Sequence, residues 1–370
     1  MALKVGIVGL PNVGKSTLFN ALTKAHVEAS NYSFATIKPN DGVIEVPDER
    51  LDYLVSVFKP KKTVHATIEF SDMAGLAKGA SSGAGLGNKF LAHIRECAMI
   101  VEVIRFFENS EVIHSEVTID PLRDFEIINL ELMMADLETL DARIAKIETK
   151  AKVSKEKDLL FELNTLKLIH QELSKGNYFY KKLLSTEQLE FAFQNLHLLS
   201  LKDLLVVANL GDNEIARLDT LKSYNDLKDY LATKGVAVIP ICAKLEEDLL
   251  DFSDEEKSEF LMMNNLSLTG LENLVKTAYK SLGLATFFTV GGDECKAWTF
   301  KLGMKAPDAA AVIHTDFKRG FIKAEVYAYQ DFVLFPNETK LKEQGKIRIE
   351  GKEYVVKDGD IIFFRFNVGR

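Results

Sequence analysis

Apolar residues form short runs over the first hundred residues and again after residue 199, and several of these runs are separated by apolar residues at helical spacing. Apolar runs of this length predict buried strands. The predicted strands are residues 3–8, 42–46, 64–70, 99–104, 204–208 and 236–241. Strands that alternate with helices, the first at Lys15–Lys24, are typical of a mostly parallel α/β sheet.

Between residues 121 and 198 the apolar residues recur at steps of mostly three and four, in two arms separated by a polar stretch near Lys152–Lys157. This spacing predicts two helices of about 25 residues, packed as an antiparallel coiled-coil hairpin inserted into the α/β domain. The apolar positions are Ile127, Leu130, Met134, Leu137, Ile144, Ile147 and Ala151 in the first arm and Leu159, Leu163, Leu166, Ile169 and Leu173 in the second.

After about residue 285 the pattern changes to short alternating runs, such as Ala297–Leu302, Ile322–Tyr329 and Ile361–Phe366. Alternation of this kind predicts a compact β-rich terminal domain. The chain has 370 residues, which at ~150 residues per domain agrees with two to three domains.

Composition narrows the class of protein. The net charge of −8 argues against a protein that holds nucleic acid by bulk positive charge, and DNA is not an expected partner. The three cysteines are scattered, which predicts reduced thiols. No run approaches the ~20 apolar residues of a membrane helix, and no signal-peptide pattern is present, so we expect a cytoplasmic protein without a membrane partner.

A phosphate-binding motif follows the first predicted strand. Gly9-Leu-Pro-Asn-Val-Gly14-Lys15-Ser16 matches G-x-x-x-x-G-K-[ST], with a strand before it and a helix after it. Backbone N–H groups of such a loop curve around phosphate oxygens, the lysine reaches the β- and γ-phosphates, and the hydroxyl binds Mg²⁺. A P-loop is therefore predicted here, with Lys15 as its catalytic lysine.

Two further elements lie in the order that a GTPase-type domain requires. Thr36 is in the loop after the first helix, where it would bind Mg²⁺ once a γ-phosphate orders that loop. Asp72-Met-Ala-Gly75 fits D-x-x-G, in which the carboxylate holds a Mg²⁺-bound water. The metal ligands are thus predicted to be Ser16, Thr36 and Asp72. Leu76 stands where Ras-like enzymes place the glutamine that orients water, which predicts slow hydrolysis.

The base-binding loop is expected after the strand 204–208. Guanine specificity normally requires Asn-Lys-x-Asp, and this chain has Asn209-Leu210-Gly211-Asp212, in which the lysine is missing. Cys242-Ala243-Lys244 resembles the S-A-K loop that meets the base. The residues expected to bind the nucleotide are Pro11, Asn12, Val13, Gly14, Lys15, Ser16, Thr17, Asn209, Leu210, Asp212, Cys242 and Ala243.

These motifs, together with the segments 31–40, 75–91 and 306–322, closely resemble the Obg-like ATPase family of the YchF type along essentially the whole chain. The resemblance implies a P-loop NTPase of the TRAFAC class. It implies a G domain over residues 1–120 and 199–285, a coiled-coil insert over 121–198, and a β-grasp TGS domain over 286–370. TGS domains are found in proteins that meet RNA or the translation machinery.

The resemblance also implies ATP as substrate, because this family carries Asn-x-x-Glu at the base loop. Here Asp212 stands where that glutamate is expected, which leaves GTP open as a second substrate. His114 is implied as the catalytic substitute for the missing glutamine. Asn12 is similar to the asparagine of cation-dependent relatives, so K⁺ is a weaker cofactor hypothesis beside Mg²⁺.

The implied partner is the ribosome, with its large subunit contacted through rRNA by a monomeric protein. The predicted hairpin tip has the charge for such a contact, since it carries six basic residues and only Glu148 and Glu156 as acidic ones. The basic residues are Arg143, Lys146, Lys150, Lys152, Lys155 and Lys157. Three functions therefore stay open: a slow ribosome-associated ATPase switch, a GTP-specific translation or ribosome-assembly GTPase, and an adaptor with incidental turnover.

Overall fold

The structure is a computed structural model that describes residues 3–25, 40–73, 85–108, 118–154, 156–264 and 266–367. The chain divides into two compact units. The first contains residues 3–42 and 69–271, and the second contains 43–68 and 272–370. Segment 43–68 thus groups with the C-terminal segment, whereas the predicted domain boundaries at 120, 198 and 285 stay predictions.

The bounds of the regular elements are as follows, for the part of the chain that the structure describes. The strands are β1 (Lys4–Gly9), β2 (Asp41–Glu45), β3 (Lys62–Val64), β4 (Thr67–Asp72), β5 (Met99–Arg105), β6 (Asp203–Asn209), β7 (Ala237–Ile241), β8 (Leu284–Thr289), β9 (Glu294–Lys301), β10 (Phe321–Ala328), β11 (Arg348–Glu350) and β12 (Asp360–Phe366). The helices are α1 (Lys15–Lys24), α2 (Glu49–Phe58), α3 (Gly85–Glu96), α4 (Pro121–Ser154), α5 (Lys157–Ser174), α6 (Thr186–Asn195), α7 (Asp212–Ile215), α8 (Lys222–Lys234), α9 (Ala243–Asp248), α10 (Asp254–Met263), α11 (Gly270–Ser281), α12 (Ala306–Ile313), α13 (Thr315–Arg319), α14 (Tyr329–Leu334) and α15 (Glu338–Glu343).

The first sheet has the order β2-β4-β1-β5-β6-β7. Its pairs β1–β4, β1–β5, β5–β6 and β6–β7 are all parallel, which confirms the predicted mostly parallel α/β sheet. In the central strands β1 and β5 nearly every residue is buried, as expected of strands covered on both faces. Because the strands are parallel, the carboxyl ends of β1, β4, β5, β6 and β7 lie at one edge, where ligands of such sheets bind.

The single strand predicted over residues 64–70 is wrong, because the structure divides it into β3 and β4, which belong to different sheets. The apolar run contains His65 and Ala66 without a turn residue. Hydrophobic pattern alone therefore gives no sign that the chain leaves one sheet and enters another.

Helices α4 and α5 form the predicted hairpin, and the turn between Ser154 and Lys157 lies where it was expected. The arms are unequal, with 34 and 18 residues. In the first half of α4, Asn129 Nδ2 donates to Glu102 Oε2 of β5 at 3.5 Å. In the second half, ion pairs from Arg143 Nε to Glu162 Oε1 (2.6 Å) and from Lys167 Nζ to Glu148 Oε1 (2.6 Å) join α4 to α5.

The prediction of which face of α4 is buried is wrong for the first half of this helix. Leu130 and Met134 are exposed, whereas Asp124, Asn129 and Asp136 are buried beside Phe125, Ile128 and Leu132. Asp136 is fully hydrogen-bonded, since its carboxylate accepts from the backbone N–H groups of Leu199 (2.9 Å) and Ser200 (2.8 Å) and from the Ser200 hydroxyl (2.6 Å). In a sequence, buried polar residues cannot be told from surface residues. The prediction therefore assigned these positions of α4 to the solvent-exposed face.

The second unit contains a sheet of order β11-β10-β12-β8-β9-β3. One face of this sheet packs with α12 around an apolar core, and α12–α15 add helices to a region that the sequence predicted only as β-rich. The core residues include Phe287, Phe300, Val326, Ile362 and Phe364. Among the residues described, no helix combines the length and apolar character that a bilayer crossing requires.

Candidate functional site

The turn between β1 and α1 has the geometry of a phosphate-binding loop. Asn12 has φ +62° and Gly14 has φ +88°, both in the left-handed region, so successive N–H groups turn toward one side of the loop. Position 14 requires glycine, since the Cβ of any other residue would lie 2.1 Å from Asn209 Nδ2. Gly9 is equally restricted, because a Cβ would lie 2.8 Å from the carbonyl oxygen of Val103.

The loop brings a lysine, a hydroxyl and a carboxylate together. Lys15 Nζ lies 2.6 Å from Asp72 Oδ1, and the Ser16 hydroxyl donates to Asp72 Oδ2 at 3.2 Å. Lys15 is 8% exposed, whereas Ser16 is exposed. The strands β1 and β4 are paired with Ile7 opposite Asp72, and this register places the end of β4 beside the start of α1.

These oxygens fit a Mg²⁺ site of the P-loop kind. Mg²⁺ prefers oxygen ligands and in such sites takes only one or two from the protein, with the others coming from water and phosphates. Ser16 and Asp72 supply such a pair. Within the described ranges no group of three or more His, Cys, Asp or Glu residues forms an all-protein metal site. Thr36, the third predicted ligand, lies outside the described residues, as do His114 and Gly75.

A cavity of about 900 Å³ opens beside the loop, at the carboxyl ends of β5, β6 and β7. Its size is within the range of ligand pockets. The lining residues are Gly14, Thr17, Phe107, Glu108, Asn209, Leu210, Gly211, Asp212, Asn213, Glu214, Arg217, Cys242, Ala243 and Lys244. Seven of the residues predicted to bind the nucleotide therefore line one cavity: Gly14, Thr17, Asn209, Leu210, Asp212, Cys242 and Ala243.

Asn209 connects the two loops that bound this cavity. Its Nδ2 donates to the carbonyl of Val13 at 2.8 Å, and its Oδ1 accepts from the N–H of Ala243 at 3.1 Å. The side chain is buried, so both bonds are protected from water. Asn209 therefore fixes the distance between the P-loop and the loop after β7.

Asp212 is exposed at the rim of the cavity and accepts from the Cys242 thiol, with Sγ 3.4 Å from Oδ1. Burial raises the pKa of Cys242 to about 11, so the thiol keeps its proton and remains a donor at neutral pH. This contact orients the carboxylate but leaves Oδ2 available for a ligand.

Sequence reasoning missed six residues of this region: Arg105, Phe107, Glu108, Asn213, Glu214 and Arg217. Phe107, Glu214 and Arg217 line the cavity, and the Glu214 side chain is only 12% exposed. Glu214 stands two residues beyond the base motif, so its spacing gave no signal. Arg105 and Phe107 lie at and just beyond the carboxyl end of β5, a strand that was predicted over residues 99–104. A charged and an aromatic residue at that end of a parallel strand were the signal that could have identified them.

Comparisons with known proteins agree with this architecture. Residues 4–158 match the family model described as 50S ribosome-binding GTPase, and residues 284–367 match the YchF-GTPase_C model, described as a protein of unknown function (DUF933). Together with the structure, these matches confirm the predicted P-loop NTPase fold with a separate C-terminal region.

Full-length relatives are similar along the entire chain. The chain is 48% identical over 368 residues to the protein of Bacillus subtilis (strain 168) named Ribosome-binding ATPase YchF, with 100% of both covered. Identity to the protein of the same name from Escherichia coli O157:H7 is 45% over 368 residues, again with 100% of both covered. The solved structure of the Schizosaccharomyces pombe YchF GTPase matches with a TM-score of 0.86 and 37% identity, and covers 98% of each chain. This chain therefore belongs to the YchF family.

Proposed function

We propose that this protein is a ribosome-associated P-loop ATPase that hydrolyses ATP to ADP and phosphate slowly and acts as a nucleotide switch in translation. The observation that carries the proposal is the arrangement of Lys15, Ser16 and Asp72 at the end of a glycine turn, beside a cavity large enough for a base and ribose. The name of the bacterial relatives, Ribosome-binding ATPase YchF, supplies the partner and the substrate. We further propose a cytoplasmic monomer.

Each part of the site has a role in this proposal. Lys15 binds the β- and γ-phosphates together with the backbone N–H groups of the loop. Ser16, Thr36 and Asp72 are proposed to hold Mg²⁺, which supplies charge neutralisation at the phosphates. Asn209, Leu210 and Cys242 frame the base. Residues that contribute mainly through the backbone are Pro11, Asn12, Val13, Gly14, Thr17 and Ala243.

The second candidate is a GTPase, and a specific observation favours it. Asp212 keeps a carboxylate at the cavity, and such a carboxylate accepts from guanine N1–H and N2–H₂. The fission-yeast relative is named a GTPase, whereas the bacterial relatives are named ATPases. In Asn-Lys-x-Asp the side chain of the lysine covers the guanine base. This chain lacks that lysine, which favours ATP over GTP.

Equilibrium titration with ATP and with GTP in Mg²⁺ tests the choice. We expect ATP to bind more tightly, with turnover of ATP detectable above that of GTP, and the same assay with purified ribosomes tests the proposed partner. A tenfold preference for GTP would overturn the assignment as an ATPase. Exchange of K⁺ for Na⁺ in the turnover assay tests the weaker proposal that Asn12 supports a K⁺ site.

His114 is proposed as the group that replaces the missing glutamine. We expect His114→Ala to lower kcat by about 10²-fold, the usual contribution of a general acid or base, with the Kd of ATP unchanged. Single-turnover hydrolysis beside equilibrium binding separates the two quantities. Hydrolysis at the wild-type rate would remove His114 from the mechanism.

The hairpin tip is proposed as an RNA contact. Of its basic residues, Arg143 and Lys152 form ion pairs with Glu162 and Glu148, and the pKa of Glu148 is lowered to about 2 by hydrogen bonds from Lys167 and Lys152. Lys146, Lys150 and Lys157 are exposed, and none of the three forms an ion pair with the residues that the structure describes. Of these, Lys146 and Lys150 lie together on α4 and are the proposed phosphate contacts.

We expect Lys146→Glu combined with Lys150→Glu to weaken ribosome binding and to lower the slope of log affinity against log salt by about two, one for each lost phosphate contact. Co-sedimentation with ribosomes over a salt series measures this slope. Lys222→Glu, an exposed lysine at the start of α8, is the matched control. An unchanged slope in the double variant would place the ribosome contact elsewhere.

A further inference from the structure

Arg105 is a buried cation at the carboxyl end of β5. It is the last residue of β5, where it pairs with Asn209 of β6, and it is only 2% exposed. A buried charge is costly unless hydrogen bonds and an opposite charge compensate it. An aliphatic residue would fill the same strand position without that cost, so the contacts of the guanidinium indicate its role.

The guanidinium contacts both halves of the proposed nucleotide site. Its Nη1 donates to the carbonyl of Asn12 in the P-loop at 3.3 Å, and its Nε donates to the carbonyl of Phe107 at 3.1 Å. The guanidinium carbon also lies 4.3 Å from the centre of the Phe107 ring, which is cation–π distance. Asn12 is held in the left-handed region, and Phe107 lines the cavity where the base is proposed to bind.

The opposite charge comes from the hairpin. Asp124 lies in the first turn of α4 and is fully buried. Burial lowers the pKa of Arg105, and the negative charge of Asp124 opposes this effect. Asp124 also accepts from Arg123 at 2.9 Å, which holds the carboxylate at the root of the helix.

A nucleotide spans the P-loop and the base cavity, so its affinity depends on the distance between them. Two loops that are not fixed to each other must be ordered by the ligand, and this ordering lowers affinity. We propose that Arg105 is a positioning residue that holds the Asn12 turn of the P-loop and the Phe107 side chain at the cavity in fixed positions relative to each other, so that less ordering is required when the nucleotide binds. The inference rests on the proposed function, since it concerns binding of the nucleoside triphosphate.

The test compares the Kd of ATP, KM and kcat for the full chain and three variants. We expect Arg105→Gln to raise Kd and KM together by about tenfold with kcat within twofold of wild type, because uniform binding is lost. Arg105→Lys, which keeps the charge but not the fork of donors, should show a smaller rise.

Arg95→Gln is the matched control. Arg95 donates to Thr139 Oγ1 of α4 at 2.9 Å, so its loss removes an arginine contact with the hairpin that does not reach the P-loop. Its Kd should equal that of wild type. Thermal unfolding of every variant detects loss of folding, and if Arg105→Gln does not fold, Arg105→Lys carries the test.

The outcomes separate the two proposals. A wild-type protein that binds neither ATP nor GTP would overturn the proposed function and this inference with it. ATP binding by wild type with an unchanged Kd in the folded Arg105 variants would overturn this inference alone. A Kd raised equally in Arg95→Gln would also overturn it, because the effect would then be general destabilisation.

Discussion

Lys15→Ala is expected to reduce ATP turnover by about 10²–10³-fold, the loss usually seen when one group that stabilises transition-state charge is removed. Lys15 is 8% exposed, and its ammonium lies 2.6 Å from Asp72, beside the position that the phosphates are proposed to occupy. The other lysine of α1, Lys24, is at the far end of that helix. Steady-state hydrolysis together with equilibrium binding of ATP measures the effect.

Lys24→Ala is the matched control for this variant. Lys24 lies on the same helix, and its side chain is 59% exposed and pairs with Glu247 at 3.0 Å. Its loss should leave turnover within twofold of wild type, because exposed ion pairs contribute little. Wild-type turnover in Lys15→Ala would show that hydrolysis does not occur at this site. A cellular role that survives in a folded, inactive Lys15→Ala protein would favour the adaptor hypothesis.

Asn209→Ala is expected to destabilise the first unit by about 2–4 kcal/mol. The change leaves two buried backbone groups without a hydrogen-bond partner, and each such group costs ~1–3 kcal/mol. The carbonyl of Val13 loses its donor at 2.8 Å, and the N–H of Ala243 loses its acceptor at 3.1 Å. Both loops around the cavity are then released, so ATP and GTP should lose affinity by similar factors. Chemical denaturation and nucleotide titration measure the two effects.

Two further variants make this prediction specific. Asn209→Asp keeps an acceptor for Ala243 but places a carboxylate against the carbonyl of Val13, so the P-loop contact should be lost while the other contact survives. Asn225→Ala removes a comparable side-chain bond, from Nδ2 to the carbonyl of Asp219 at 2.9 Å, in an exposed position. Its cost should stay within about 0.5 kcal/mol. Equal destabilisation by Asn225→Ala and Asn209→Ala would contradict the role assigned to Asn209.

Much of the proposed site could be predicted because its residues are close in sequence or follow predictable strands. Gly14 and Lys15 belong to one turn, and the strand before it was evident from its apolar run. Asp72 and Asn209 end strands β4 and β6, and Cys242 directly follows β7, so their meeting at one edge of the parallel sheet follows from the topology. The contact of Arg105 with the carbonyl of Asn12 could not be predicted, because Asn12 belongs to a segment whose distance from β5 in the fold no local pattern specifies.

The sequence by itself determined the P-loop, the parallel sheet and the helical hairpin, since glycine conformational freedom and apolar periodicity are local properties of the chain. Only the tertiary structure decided which face of α4 is buried, that residues 62–72 form strands in two sheets, and that segment 43–68 groups with the C-terminal segment. These features depend on partners far apart in sequence. Asp136, for example, is buried because Leu199 and Ser200 supply its donors.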